Sequence, residues 1–243
     1  MPFNRRAIKA VIFDYGNTLV EFSPTQVSIC DAALAAVLEK HFGPMDRERF
    51  RAMRHGNRLA PYAGDPPAYR ENNLLDISTN LVRDLYGAEP SPEQLADILR
   101  NRFDTFVRIV QAPDGVREVL GRLRKKYRLG LLSNYPDGNA IRASLEATGL
   151  ARFFHAVVVS ADVGYVKPHP LPYETLLKQL RVKPANALLV GDNWVGDIQG
   201  GKRAGLQVCL TRQWESYEKF ERRAGDEEPD AVIDRLQDLE KLL

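Results

Sequence analysis

Ala10-Val11-Ile12-Phe13-Asp14-Tyr15-Gly16-Asn17-Thr18-Leu19 is the stretch on which the fold turns. Its first four residues are apolar without helical spacing, and with Ile8 they make Ala7 to Phe13 read as a buried strand. The run closes on a carboxylate, Asp14, and a glycine-containing turn follows. Open α/β sheets carry their chemistry at such carboxyl ends of strands. Asp14 is therefore the first candidate for a reacting group. Two residues on stands Gly16, which has no side chain to assist it.

Downstream, from about Thr25 to Phe106, the pattern is predominantly helical. Val27, Ala33, Leu34, Val37 and Leu38 form one stripe, and Leu74, Ile77, Leu81, Val82 and Leu85 a second. Leu95, Ile98, Leu99, Phe103, Phe106 and Val107 form a third, behind Ser91-Pro92-Glu93, a cap residue with Pro at the first helical position. Between the stripes, His55 to Arg70 is rich in Pro and Gly and carries Arg58, Tyr62 and Tyr69, so it reads as a loop overhanging the site.

After Pro113-Asp114-Gly115 short apolar runs alternate with helical patterns. Strands are predicted at Arg128 to Leu132, Ala156 to Ser160, Ala187 to Val190, Gln207 to Leu210 and Ala231 to Ile233. The expected fold is α/β, a doubly wound Rossmann-like parallel sheet with an inserted α-helical cap domain. Residues 1–22 and 110–243 would form the core and 23–109 the cap, moving on hinges near Glu21 to Pro24 and Ile109 to Pro113.

Charge and cysteine usage narrow the function classes. The formal net charge is +2, too balanced for nucleic-acid binding to be the default, while small anionic substrates are allowed. Cys30 and Cys209 have no metal-ligand or disulfide-framework spacing, which suits a reducing cytoplasm. The apolar run behind Arg5, Arg6 and Lys9 is too brief for a signal peptide or membrane span. The expected partner is a small molecule, with neither nucleic acid nor membrane, and the chain a monomer or homodimer.

Four features fall at the carboxyl ends of predicted elements: Asp14 with Thr18, Ser133-Asn134, Lys167, and Asp192 with Asp197. Singly, each has an ordinary explanation as a turn former, a helix cap, a surface lysine or a strand end. Their joint order favours one site. Val11-Ile12-Phe13-Asp14, Leu131-Leu132-Ser133-Asn134, Val166-Lys167-Pro168, and Leu189-Val190-Gly191-Asp192 with Asp197-Ile198 resemble the haloacid dehalogenase superfamily of hydrolases, whose members are mostly magnesium-dependent phosphatases. The helical insertion resembles that of its helical-cap subgroup.

The resemblance implies that Asp14 attacks phosphorus and forms an aspartyl-phosphate. It implies Mg2+ held by Asp14, the Gly16 carbonyl and Asp192, with Asp197 in support. Ser133, with backbone donors near Asn134, would bind phosphoryl oxygens, Lys167 would add positive charge, and Thr18 would orient Asp14 by a hydrogen bond.

Gly16 departs from the family's phosphatases, which carry there an Asp that protonates the leaving oxygen. Activated phosphates should then be favoured. His55, Tyr62, Asp65, Tyr69 and His169 are alternative acids. Asn17, in place of a usual Gly, would alter the turn or contact substrate. Two other readings stand beside the phosphatase. One is a non-catalytic phosphate-binding or regulatory protein. The other is a dehalogenase or phosphonatase-type hydrolase; the acidic pair argues against the former type, and Lys40 is the sole cap lysine for an imine.

Overall fold

The structure, a computed structural model, describes residues 3–214 and 222–243. Among them, β1 (Ala10–Phe13), β2 (Arg128–Ser133), β3 (Ala156–Val159), β4 (Ala187–Gly191), β5 (Gln207–Thr211) and β6 (Ala231–Ile233) form one sheet in the order β3-β2-β1-β4-β5-β6. Every neighbouring pair is parallel, with Ile12 opposite Gly130 on one side and Leu189 on the other. This is the doubly wound α/β sheet expected from the sequence.

Side chains alternate across the strands, so the sheet feeds two cores. Val11, Phe13, Leu129, Leu131 and Val190 pack on one face, and Ala10, Ile12, Leu132, Leu189 and Val208 on the other. The chain winds from β1 outward to β3, then returns to place β4 on the other flank of β1. The reversal leaves a crevice beyond the carboxyl ends of the central strands, where such sheets bind ligands.

β2, β4 and β5 each run one residue beyond the sequence reading, to Ser133, Gly191 and Thr211, and β1 and β3 differ from it for visible reasons. β1 starts at Ala10, because Arg5–Ala7 closes into a 3-10 turn and the neighbouring strands come into register only from Arg128 and Ala187. Ser160, expected to end the third strand, instead begins a short helix and turns its hydroxyl to the Tyr135 N–H at 2.8 Å.

Between β1 and β2 lie α1 (Pro24–Phe42), α2 (Arg47–Leu59), α3 (Leu74–Tyr86) and α4 (Pro92–Ile109). Ser23 and Ser91 start α1 and α4 in capping boxes with Gln26 and Gln94, each with Pro next in sequence. Leu34, Leu38, Phe50, Leu81, Val82 and Ile98 give these helices an apolar cluster of their own.

His55 to Arg70 reads as a loop in the sequence, yet α2 continues through Leu59. Phe50 is its one deeply buried side chain, so no apolar stripe announces it. The helix is started by Asp46, which accepts from the N–H groups of Glu48 and Arg49, and its later turns are tied to Asp31 by Arg54 and Arg58. After β1 and the cap come α5 (Val116–Arg124), α6 (Gly138–Ala147), α7 (Ser160–Val163) and α8 (Pro170–Leu180) between the strands. No described helix is long and apolar enough to cross a membrane.

Candidate active site

Asp14 follows β1 and is 8% exposed. The turn behind it is closed by backbone geometry. Asn17 has φ of 54°, in the left-handed region that Asn tolerates better than most residues, and its N–H donates to Val20 O at 2.7 Å. Its side-chain oxygen accepts from the Phe22 N–H at 2.9 Å. Asn17 thus preserves the turn. Thr18 does not orient Asp14: it is fully buried, and its Oγ1 has no hydrogen-bond partner among the described residues. Thr18 is not among the residues that line the cavity beside Asp14.

Lys167 is 2% exposed, and its Nζ donates to Asp14 Oδ1 and Asp197 Oδ1, each at 2.6 Å, and to Leu132 O at 2.9 Å. Burial works to lower the Lys167 pKa, but the two carboxylates more than offset it, so the ammonium stays charged. Asp14 shows the opposite balance. Burial raises its pKa most, Lys167 lowers it, Asp197 raises it again, and the result is about 6.

Asp197 is fully buried beneath this pair, and its Oδ2 accepts from the Asn193 N–H at 3.0 Å. The fit requires Gly191, where a Cβ would lie 2.2 Å from the Asp197 carboxyl carbon. Asp14, Asp192 and Asp197 each present a carboxylate oxygen, all within 4.8 Å of one another. An all-oxygen, acidic donor set suits a hard divalent cation such as Mg2+.

Ser133 and Gly16 line the same cavity of about 250 Å³ as Asp14, Lys167 and Asp192. The Asn134 side chain is committed elsewhere. Its Nδ2 donates to Tyr62 Oη and Lys167 O, both at 3.0 Å, and its Oδ1 accepts from the Lys167 N–H at 2.7 Å. Both amide hydrogens are spent, so this side chain holds the lysine loop to the cap and has no donor left for a phosphate.

Of the alternative acids, Tyr62 lines the cavity and His55, Asp65, Tyr69 and His169 do not. Tyr69 instead meets Tyr62 edge-on at 6.0 Å, and His169 stacks on Tyr165 at 3.9 Å. Lys40 is on the surface, 70% exposed and 3.9 Å from Asp97. Sequence reasoning missed Glu71, Arg54 and Arg102, which reach the cavity from the cap. Glu71 accepts from the Ser160 hydroxyl and from the Asn72 N–H, and burial pushes its carboxyl pKa up. The i, i+4 spacing of Arg54 and Arg58 on a polar helix was the available signal.

The segment carrying Glu71 is pinned to the core by backbone bonds. Glu71 N–H donates to Gly164 O at 3.0 Å, Val166 N–H donates to Tyr69 O at 2.8 Å, and Arg70 pairs antiparallel with Tyr165. Lys167 follows immediately.

A family model described as haloacid dehalogenase-like hydrolase matches residues 8–205. A glyceraldehyde 3-phosphate phosphatase of Methanopyrus kandleri is 29% identical over 237 residues, covering 96% of this chain and 95% of that protein. Pyrophosphatase PpaX of Bacillus cereus is 30% identical over 185 residues, covering 73% of this chain and 82% of the relative. Among solved structures, a 2-haloacid dehalogenase from Pseudomonas syringae superposes with a TM-score of 0.72 at 26% identity, covering 97% of each chain. With its catalytic-type residues gathered at the carboxyl ends of the central strands, this chain belongs to the haloacid dehalogenase-like hydrolase family.

Proposed function

We propose that the protein is a magnesium-dependent phosphatase acting through an aspartyl-phosphate on Asp14, with activated phosphates as its preferred substrates. The observation that carries this reading is the grouping of Asp14, Asp192 and Asp197 around an all-oxygen site, with Lys167 bonded to two of them. In this reading Asp14 attacks phosphorus in line, the bond from phosphorus to the leaving oxygen breaks, and water then hydrolyses the acyl phosphate. Asp14, Asp192 and the Gly16 carbonyl hold Mg2+, with Asp197 supporting them. When bound, the ion supplies charge compensation between an anionic nucleophile and an anionic phosphate.

Lys167 orients Asp14 and adds positive charge beside the transferring group. Ser133 donates to a phosphoryl oxygen as charge develops there. Residues 23–109 act as the cap over a core of 1–22 and 110–243. The substrate is a small phosphorylated molecule, and the unpaired Cys30 and Cys209 fit a cytoplasmic protein.

Gly16 supplies no proton to the leaving oxygen. General acid–base catalysis typically contributes about 10²- to 10⁴-fold, or roughly 3 to 5.5 kcal/mol of barrier. The test is a steady-state comparison, with and without Mg2+, of p-nitrophenyl phosphate and acetyl phosphate against sugar phosphates, with Asp14→Asn as control. Release restricted to the activated substrates, dependent on both Mg2+ and Asp14, is the expected result. Sugar phosphates cleaved as fast as aryl phosphates would show that another residue, with Glu71 and Tyr62 the nearest choices, supplies the acid. No release from any of them would favour a binding protein or an organohalide or phosphonate substrate.

A further inference from the structure

The cap side of the cavity is lined by Arg54, Arg58 and Arg102. Arg54 and Arg58 lie four residues apart on α2, the spacing that stacks side chains on one helix face. Both turn to one carboxylate, Asp31 of α1: Arg54 Nε donates to Oδ1 at 2.8 Å and Arg58 Nη1 to Oδ2 at 3.5 Å. Arg102 of α4 has no carboxylate within ion-pair distance among the described residues, although Asp31 acts on it from farther off.

Two titratable groups beside the cluster add no negative charge. Burial pushes the Cys30 thiol up to about 11 and raises the Tyr135 phenol further, so both are neutral. The Glu71 carboxyl, on the same cavity, is also raised by burial and bonded to Ser160. Arg102, lowered to about 10 by burial first and by Arg54 second, remains a cation. A desolvated guanidinium short of a counter-charge is costly, and costs least when an anion joins it.

The arginines do not serve the reacting carboxylate. The charges that dominate at Asp14 are Lys167 and Asp197, with no arginine among its leading influences. The cavity therefore has two electrostatic halves, an acidic floor with its lysine and a cationic roof.

We propose that the roof arginines receive a second anionic group, so that the substrate is a small phosphorylated molecule whose remainder carries a carboxylate or a second phosphoryl group. This rests on the phosphatase reading and names its substrate class. The planar guanidinium fork matches either anion with paired hydrogen bonds. A cavity of about 250 Å³ admits a short molecule with both ends charged. Where the leaving group is itself the anion, as in an anhydride, a cationic roof favours its departure without the proton that Gly16 cannot give.

The experiment compares kcat/KM for phenyl phosphate and 3-carboxyphenyl phosphate, whose leaving groups are similar in basicity, with inorganic pyrophosphate as the phosphoryl arm. Wild type should prefer the carboxylated ester by about tenfold or more, the usual scale for hydrogen bonds to a charged group. Arg102→Gln should bring the ratio towards one, and Arg102→Lys should keep most of it. The anion whose preference over phenyl phosphate falls further in Arg102→Gln identifies the source.

Equal kcat/KM in wild type, or a preference indifferent to Arg102→Gln, overturns the proposal. Calorimetric binding of both esters to Asp14→Asn gives a readout that needs no turnover. Tighter binding of the carboxylated ester beside an inactive wild type keeps the arginine site and defeats the phosphatase reading. Equal binding beside an active wild type does the reverse.

Discussion

Asp14 sits where burial and its neighbours pull against each other, and its stability contribution follows from the balance. Its folded pKa of about 6 lies above the ordinary 3.8, so the folded state binds more protons between those values. Its contribution to stability is full below 3.8 and lost as the pH rises through 6. At about 1.4 kcal/mol per unit, the loss is on the order of 3 kcal/mol. With chelator present, Asp14→Asn should therefore melt above wild type at pH 7, and the margin should shrink towards pH 4. A margin independent of pH in thermal melts would refute the assignment. Gly16 allows a second residue-scale prediction, since a Cβ there meets only Phe22, at 3.3 Å. Gly16→Asp should raise alkyl phosphate turnover by roughly 10²-fold, with aryl phosphates changed far less, as measured by the slope of rate against leaving-group basicity.

The end of β4 and the loop around Lys167 are small elements that fix larger ones. Gly191→Ala would force the Asp197 carboxyl away from its place, because no rotamer removes a backbone-attached methyl. We expect a loss of about 1–3 kcal/mol in urea unfolding, together with loss of turnover. Asn134→Ala removes three hydrogen bonds that join the Lys167 loop to Tyr62 of the cap. At about 1 kcal/mol each, the stability cost is roughly 3 kcal/mol, and kcat should fall because Lys167 is no longer held. Tyr62→Phe, which cuts the cap arm and leaves both Asn134 bonds to Lys167 in place, should lower kcat less than Asn134→Ala does; equal losses of kcat from the two would mean that Asn134 acts through the cap alone. At this scale the sequence was legible where burial wrote a pattern. β1 and β4 read as strands because both faces are apolar, whereas α2 was half missed because a cap at Asp46 and arginine pairs to Asp31 hold it. Thr18 reads as a partner for Asp14 because a one-dimensional motif does not say which way a turn points its side chains.

At the scale of the whole molecule, strand order gathers the site. β1 lies between β2 and β4, so Asp14, Ser133 and Asp192, far apart in sequence, end on adjacent strands. The core half was legible because Asp14, Ser133 and Asp192 each close a short apolar run. The cap half was not, since arginines lining a cavity and arginines facing solvent leave the same trace on a polar helix. The pairing of residues 69–71 with 164–166 joins these halves through backbone alone. Its consequence is a built-in clock. The Glu71 and Val166 amides exchange with deuterium only when that pairing opens, so their exchange times the separation of cap from core without any label. Both amides should exchange together and slow together when ligand is bound; unequal rates would reveal fraying one residue at a time instead of a single release.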